Sequence, residues 1–237
     1  MKKRWIALFA AVGLAFCLPA GAVFADSGEI TYTEAVDTLA GYGGMEGKEN
    51  NLFDPKGELT RGEMAKIITA LRCGGNVSAF ANYQPFPEFP MERTPVDVLN
   101  HWSLGYVQYL VREDFTDGCG DGQFHPDDTR TGLQCAKMLM NLLGYVSENE
   151  GFLGANWEDG VLARANELKL FDAFPEDFDP AATITREQAA QVLVIGLDCA
   201  RVRYDYQLWS EDGMLVSRPV LRETDPPSTL RSAFFYD

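Results

Sequence analysis

Two arginines stand at the same place in a pattern that recurs along the chain. Arg61 and Arg186 each follow a threonine, at what would be the first residue of a helix. A cation there opposes the helix dipole by roughly 0.3–1 kcal/mol, so stability alone would favour Asp or Glu. A guanidinium beside free helix N–H groups does, however, make a good pocket for a carboxylate. Both arginines are therefore candidates for binding an acidic group, with a structural salt bridge as the alternative.

Other residues that could bind a metal or take part in catalysis do not form recognisable sites. His101 and His125 show no metal-ligand spacing, and residues 117–128 match a calcium loop only in part, so we interpret them as a tight turn. The sequence contains no Gly-x-Ser-x-Gly elbow, phosphate loop or His-Glu-x-x-His pair. We expect no catalytic residues, metal or cofactor. A carboxylate pair for glycoside hydrolysis stays open, because the 35 acidic residues allow many pairs.

The two arginines belong to an internal repeat with three copies. Each copy has a phenylalanine, a proline two residues later and a threonine five residues after the proline. An aromatic residue lies 23 or 24 residues before each proline: Tyr32, Trp102 or Trp157. The three sets are Phe53, Pro55 and Thr60; Phe124, Pro126 and Thr131; Phe178, Pro180 and Thr185. This register predicts three similar units that must share one core.

Each threonine is predicted to cap a helix. The three capping boxes are Thr60 with Glu63, Thr131 with Gln134 and Thr185 with Gln188. Apolar residues follow at helical spacing, and another helix is expected before each loop, so each unit reads as helix, loop, capped helix. Trp102 and Trp157 begin the first helices of their units. We interpret both as core residues, with partial exposure to a sugar left open.

The first 25 residues are predicted to be a signal peptide. A basic segment, residues 2–4, precedes an apolar stretch that ends at Pro19. Val23 and Ala25 supply short residues for cleavage after Ala25. The apolar stretch is too short for a convincing membrane anchor. We therefore expect an exported protein that is not in the membrane after cleavage.

The chain is strongly acidic, with a formal net charge of −15 that becomes more negative when the basic leader is removed. This charge argues against binding to nucleic acid, which needs clustered Lys and Arg. It also argues against adhesion to an anionic wall polymer through bulk charge, so any recognition of an anion must be local. The four cysteines outside the leader show no CxxC spacing, and the sequence selects no disulfide pairing among them.

The repeats resemble S-layer homology domains. Repeat two carries Asp97-Val-Leu-Asn-His101-Trp102 and then Gly118-Cys-Gly120-Asp-Gly-Gln-Phe124-His-Pro126. Repeats one and three carry Thr60-Arg61-Gly-Glu63 and Thr185-Arg186-Glu-Gln188. The resemblance covers residues 30–198. Repeat two departs from the family pattern at Gly132, where the arginine is missing, and repeat one departs with Tyr32 in the tryptophan position and no Asp-His pair before it.

The resemblance implies a fold, a partner and a site. The fold is mainly α, with three helix-loop-helix repeats arranged pseudo-threefold around a central helical bundle. The partner is a pyruvylated secondary cell-wall polysaccharide, bound non-covalently in grooves between repeats, and the oligomeric state is left open. The implied binding residues are Arg61, Arg186, Thr60, Thr185, Glu63, Gln188, Asp97, His101, Trp102, Trp157, Gly118 and Gly120.

The implied function is that of a secreted, non-enzymatic anchor at the cell wall or S-layer surface of a bacterium of Gram-positive type. The alternative is a secreted carbohydrate-active enzyme whose site lies between repeats. Measuring wall binding and product release in parallel separates the two.

The sequence divides into seven predicted segments. The C-terminal tail alternates apolar and polar residues on both sides of Glu211-Asp-Gly213, which predicts a β-hairpin outside the repeats. The segments are the signal peptide 1–25, repeat one 26–72, a Pro/Gly-rich linker 73–96, repeat two 97–145, a linker 146–155, repeat three 156–198 and the tail 199–237.

Overall fold

A computed structural model describes residues 24–81, 94–113, 115–116, 121–212 and 214–235 of the chain. These residues form a mainly helical fold with one antiparallel hairpin, which confirms the expected fold class. The helices are α1 (Thr33–Gly41), α2 (Arg61–Arg72), α3 (Ser78–Ala81), α4 (Leu104–Arg112), α5 (Gly132–Leu143), α6 (Ser147–Glu150), α7 (Trp157–Glu167), α8 (Arg186–Leu197) and α9 (Leu230–Phe234). The strands are β1 (Val202–Glu211) and β2 (Met214–Glu223).

The three predicted capping boxes are confirmed at the starts of α2, α5 and α8. At α2, the Thr60 hydroxyl accepts from the backbone N–H of Glu63 (3.2 Å), and the Glu63 carboxylate accepts from the backbone N–H of Thr60 (3.0 Å). The same reciprocal pair forms at the other two helices, with Gln in place of Glu. Each cap therefore satisfies two N–H groups at a helix start and holds the loop that enters the helix.

A ring of backbone hydrogen bonds joins the three repeats just before these caps. Leu59 N–H donates to the carbonyl of Ile184 (3.1 Å), Ile184 N–H to Arg130 (2.8 Å), and Arg130 N–H to Leu59 (2.9 Å). The three residues occupy the same position in their repeats, so the ring has pseudo-threefold symmetry. It links residues far apart in sequence, which makes the three units one structural body.

Helices of different repeats also pack against each other. The first helix of each unit packs against the capped helix of another unit: α1 against α8, α4 against α2, and α7 against α5. One continuous apolar core results, and Phe53 and Phe124 of the repeated motif are fully buried in it. Because no unit buries its apolar face alone, the shared core follows from the same physics that the repeat predicted.

Parts of the two predicted linkers pack against the repeats. Residues 146–155 are not only a linker, because they contain α6 and the fully buried Phe152. In the linker 73–96, α3 places Phe80 against Tyr109, with ring centroids 5.0 Å apart. Residues 82–93 of that linker lie outside the described residues, as do the signal peptide up to Val23 and the glycines Gly118 and Gly120.

The tail is more closely joined to the repeats than the sequence indicated. The predicted hairpin is confirmed, with Val202 opposite Glu223 at its base and Glu211 opposite Met214 at its tip. Beyond it, α9 returns to the core: Leu230 is fully buried, and Phe235 stacks on the ring of Tyr42 at 4.0 Å. The last helix therefore closes one end of the core. Within the described residues, no helix is both long and apolar enough to cross a bilayer.

Candidate functional site

The structure places Arg61, Gly132 and Arg186 at three equivalent joints between repeats. Each is the first residue of a capped helix, and each faces the phenylalanine loop of a neighbouring repeat. We name the three joints the Arg61 groove, the Gly132 groove and the Arg186 groove. The sequence assigned arginines to two of them, and both arginines do reach across to the next repeat.

Arg186 lies across Phe53 and is nearly enclosed, with 4% of its surface exposed. Its Nε donates to the carbonyl of Phe53 (2.9 Å), one terminal nitrogen to Glu63 Oε1 (2.9 Å), and the other to the carbonyl of Glu46 (3.0 Å). The guanidinium carbon is 5.1 Å from the centroid of the Phe53 ring. The salt bridge that the sequence left as an alternative is thus present for this arginine.

Arg61 takes the equivalent place over Phe124, with its guanidinium carbon 4.4 Å from the ring centroid. A terminal nitrogen donates to the Thr116 hydroxyl at 3.4 Å, and 9% of the residue is exposed. The third residue of α5, which completes its capping box, is the neutral Gln134, whereas α2 has Glu63 at that position. The Arg61 and Arg186 grooves therefore share a cation over an aromatic ring.

One part of the sequence hypothesis is wrong. The helix N–H groups beside the arginines are not free for an anion, because carbonyls of the neighbouring repeat accept from them. At α8, Arg186 N–H donates to Gly57 (2.9 Å) and Glu187 N–H to Pro55 (3.2 Å); the starts of α2 and α5 are satisfied in the same way. Recognition of an acidic group at these joints must therefore use side chains.

The Arg186 groove is a small cavity of about 150 Å³. It combines three cationic side chains, two carboxylates and one tryptophan. This volume is below the 300–1,000 Å³ or so of sites that enclose a drug-sized ligand, so it suits one terminal group of a longer chain. Its lining is Gly44, Met45, Glu46, Gly47, Lys48, Glu63, Lys66, Ile67, Trp102 and Arg186.

Trp102 is not the core residue that we expected, since 50% of its surface is exposed at the rim of this groove. It lies two residues before α4 and rests on the first turn of α2, where a Cβ at Gly62 would come within 3.3 Å of the indole. A flat, half-exposed indole beside cations can stack on a sugar ring. Trp157 starts α7 and is partly buried, with the Lys137 ammonium 5.4 Å from its ring.

Asp97 and His101 support a loop and do not line the Arg186 groove. The Asp97 carboxylate accepts from the backbone N–H groups of Phe124 (2.9 Å) and His125 (2.6 Å). His101 contacts the Ser103 hydroxyl (2.8 Å) and the Asp127 carboxylate (3.2 Å) through its two ring nitrogens. Burial opposes ionisation of Asp97, but the backbone N–H bonds outweigh it and hold the pKa of Asp97 below its ordinary value.

Asp26 performs the same task in repeat one, which sequence reasoning missed. Its carboxylate accepts from the backbone N–H groups of Phe53 (2.8 Å) and Asp54 (2.7 Å). Here too burial is outweighed by those hydrogen bonds, which lower the pKa of Asp26. The signal was available: Asp26 precedes Phe53 by the same 27 residues that separate Asp97 from Phe124.

The remaining predicted residues act as caps or lie outside the described part. Thr60, Thr185 and Gln188 use their polar groups in capping boxes, and Glu63 uses its second oxygen on Arg186. Gly118 and Gly120 fall among the residues that are not described. Lys48 and Lys66 were missed. Each is ion-paired at 2.7 Å, to Asp54 and Glu46, and lysines on a solvated surface carry no distinctive sequence signal.

Comparisons with known proteins agree with the repeat structure. The profile of the S-layer homology domain matches three stretches of the chain, residues 23–65, 96–132 and 154–190. The chain is also similar to a protein of Thermoanaerobacter kivui named "Cell surface protein", with 24% identity over 161 residues. That match covers 65% of this chain but only 19% of the relative, so the chain spans about a fifth of the relative's length.

Proposed function

Since this chain belongs to the S-layer homology family, with three domains of that family closed into one ring, we propose that it is an exported cell-wall anchor that binds secondary cell-wall polysaccharide non-covalently. S-layer homology domains generally bind cell-wall polysaccharide. The name of the Thermoanaerobacter kivui relative supports a location at the cell surface. The protein acts as a binding module and not as an enzyme, on the wall of a bacterium of Gram-positive type.

The Arg186 groove is the observation that carries this proposal. It gathers Lys48, Lys66 and Arg186 beside a half-exposed Trp102, in a chain whose overall charge is −15. Such a chain repels an anionic polymer at long range, so affinity has to come from a local cationic site. The groove offers two matched contacts: an indole face for a sugar ring and cations for a carboxylate on that ring.

An acidic sugar binds in this groove by replacing a glutamate as the ion-pair partner of a lysine or arginine. The lysine and arginine charges are now balanced by Glu46 and Glu63, at 2.7 Å from Lys66 and 2.9 Å from Arg186. Glu46 is the more exposed of the two and can turn towards water, which leaves the Lys66 ammonium for the ligand. The groove therefore favours a terminal sugar that carries a carboxylate, such as a pyruvyl ketal, over a neutral sugar.

Titration calorimetry of the mature chain with purified wall polysaccharide tests the proposal. The polymer is used in its native form and after mild acid treatment that removes ketal-linked pyruvate, and released saccharides are followed by chromatography in the same samples. Binding to the native polymer, with weaker binding to the treated one and no release, is the expected result. Equal binding to both would overturn the acidic-sugar assignment, and steady release of product would favour the alternative of a carbohydrate-active enzyme.

A further inference from the structure

Phe24, which sequence analysis placed inside the signal peptide, is a core residue. Only 2% of its surface is exposed, and its ring centroid is 5.2 Å from that of Phe53. Its ring also fills the space beside Gly47, where a Cβ would lie 3.1 Å from Phe24 Cε1. Gly47 lines the Arg186 groove. Phe24 thus supports both the buried ring under Arg186 and one wall of the groove.

The backbone next to Phe24 is part of the domain as well. Ala25 N–H donates to the carbonyl of Asn51 (2.9 Å), and the Phe24 carbonyl accepts from Ser27 N–H (3.1 Å). The Asp26 carboxylate then holds the phenylalanine loop through two N–H groups. The family match begins at residue 23, which is an independent indication that the domain starts before Ala25.

Beyond the apolar stretch of the leader, two peptide bonds satisfy the rule for signal peptidase, which accepts small residues at the first and third positions before the cut. One follows Val23-x-Ala25, and the other follows Ala20-x-Ala22. Cleavage after Ala25 would remove Phe24 and the Ala25 hydrogen bond, and it would place a charged N-terminus on Asp26. Cleavage after Ala22 keeps every contact of residues 24–26.

We infer that the leader is removed between Ala22 and Val23, so that the mature chain begins at Val23. This inference rests on the export that the proposed function requires. The peptidase adds one water across the Ala22–Val23 amide, which leaves the carboxylate on Ala22 and a new α-amine on Val23; no other reactant is needed.

The test is to read the N-terminus. The full chain is expressed in an exporting bacterium, and the product is recovered from the medium and from cell walls, so that recovery does not depend on wall binding. Intact mass and N-terminal sequencing are expected to give Val23. A mature chain that begins at Asp26, or an exported chain that keeps its leader, would overturn the inference.

Two variants make the test sharper. Ala22→Leu puts a large residue directly before the cut and is expected to abolish the Val23 N-terminus, leaving either precursor or a chain cut after Ala25. Ala25→Leu is the matched control: Ala25 is exposed in the structure, and it becomes the third residue of the mature chain, so processing at Val23 is expected to continue. Loss of processing in Ala25→Leu with normal processing in Ala22→Leu would show that the cut follows Ala25.

A second measurement tests the physical reason. Chains made without a leader and starting at Val23 or at Asp26 are compared by thermal unfolding. The shorter chain is expected to melt about 5–10 °C lower, because a buried phenylalanine contact is lost. Phe24→Ala in the longer chain should reproduce most of this loss. Equal melting temperatures would remove the structural basis of the inference, whatever either chain does with wall polysaccharide.

Discussion

The Arg186 groove and the Gly132 groove occupy equivalent joints of the ring, but different side chains cover the phenylalanine at each joint. In the Arg186 groove, the guanidinium covers Phe53, which is fully buried. In the Gly132 groove, no arginine covers Phe178 among the described residues; Phe178 is partly exposed and stacks on Phe174, with centroids 4.2 Å apart. The arginine therefore shields the core phenylalanine from solvent in addition to carrying a charge. Where the arginine is missing, a second aromatic ring packs on the phenylalanine instead.

The backbone, in contrast, is the same at both joints. Carbonyls of the proline loop accept from the first helix N–H groups at Gly132 just as they do at Arg186. At Gly132 this loop comes so close that a Cβ would lie 2.9 Å from the Pro180 carbonyl oxygen. The ring geometry is thus set by backbone bonds common to all three repeats, whereas the proposed binding of an acidic group depends on the side chain at the first helical position.

The largest effect is expected for Arg186→Ala. The change leaves the Glu63 carboxylate and the carbonyls of Phe53 and Glu46 without their donor. Removing one partner of a buried pair costs about 3–5 kcal/mol, so the free energy of unfolding should fall by that order, and wall binding should be lost. Urea unfolding measures the loss of stability. Titration calorimetry, at a temperature below the midpoint of thermal unfolding, measures the loss of binding.

Glu63→Gln is the matched control for this variant. It gives the Arg186 groove the same capping residue that α5 and α8 have, so the helix cap should remain. It also removes the carboxylate that competes with an acidic ligand for Arg186. Stability should therefore fall less than in Arg186→Ala, and binding should be retained. If both variants bind polysaccharide like the parent chain, the Arg186 groove is not the site.

Gly132→Arg should have the next largest effect, and it tests whether adding an arginine is enough to let the Gly132 groove bind polysaccharide. The new Cβ meets the backbone at Pro180, so overpacking should lower stability by about 1–3 kcal/mol without a gain in wall binding. Gly132→Ala adds the Cβ without the charge and should show most of the same loss in thermal unfolding. A Gly132→Arg chain that is as stable as the parent and binds more polysaccharide would show that only the missing side chain distinguishes the two grooves.

Trp102→Ala should weaken wall binding with a smaller effect on folding, because half of this tryptophan is already exposed. Truncating a tryptophan that dominates a binding contact commonly costs about 2 kcal/mol, which corresponds to roughly 30-fold in affinity. Trp209 on the hairpin is equally exposed, at 50%, and lies outside the groove lining. Trp209→Ala should therefore leave affinity unchanged. Equal losses in the two variants would point to a nonspecific role for exposed tryptophan.

Much of the fold was predictable from local spacing. The three caps and the helix pairs follow from residues within a few positions of each other, such as Thr60 and Glu63. Contacts between distant residues were not predictable in the same way. The buried Glu187 carboxylate accepts from the N–H of Thr31 at 2.6 Å, and no local pattern marks this pair. The exposure of Trp102 was missed for the same reason, since it depends on how the start of α2 packs against repeat two.

Acid should affect the Arg186 groove before the Gly132 groove. The loop of repeat one depends on the Asp26 carboxylate, whereas the corresponding position before Phe178 is Gly151. Because the pKa of Asp26 is lowered in the folded chain, its stabilising contribution is present above the ordinary aspartate pKa of about 4 and is lost as the pH falls through the folded value. In urea unfolding, Asp26→Asn should make the free energy of unfolding decrease less steeply as the pH falls. An unchanged decrease would mean that other carboxylates account for most of the loss of stability in acid.

The smallest effect is expected for the helix caps, and it decides whether the threonines bind ligand. Thr60→Ala and Thr185→Ala each remove a hydroxyl that accepts from a helix N–H, so each should lower stability by about 1 kcal/mol. Both leave the first-position arginines and the backbone ring in place. If the difference between the grooves resides in Arg186 and Gly132, the two variants should bind wall polysaccharide as the parent does at temperatures where they are folded. Thermal unfolding and calorimetry on the same preparations separate the two quantities. A loss of affinity in Thr60→Ala that exceeds its loss of stability, with none in Thr185→Ala, would show that the Thr60 hydroxyl contacts the sugar and that the Arg186 groove extends to the cap of α2.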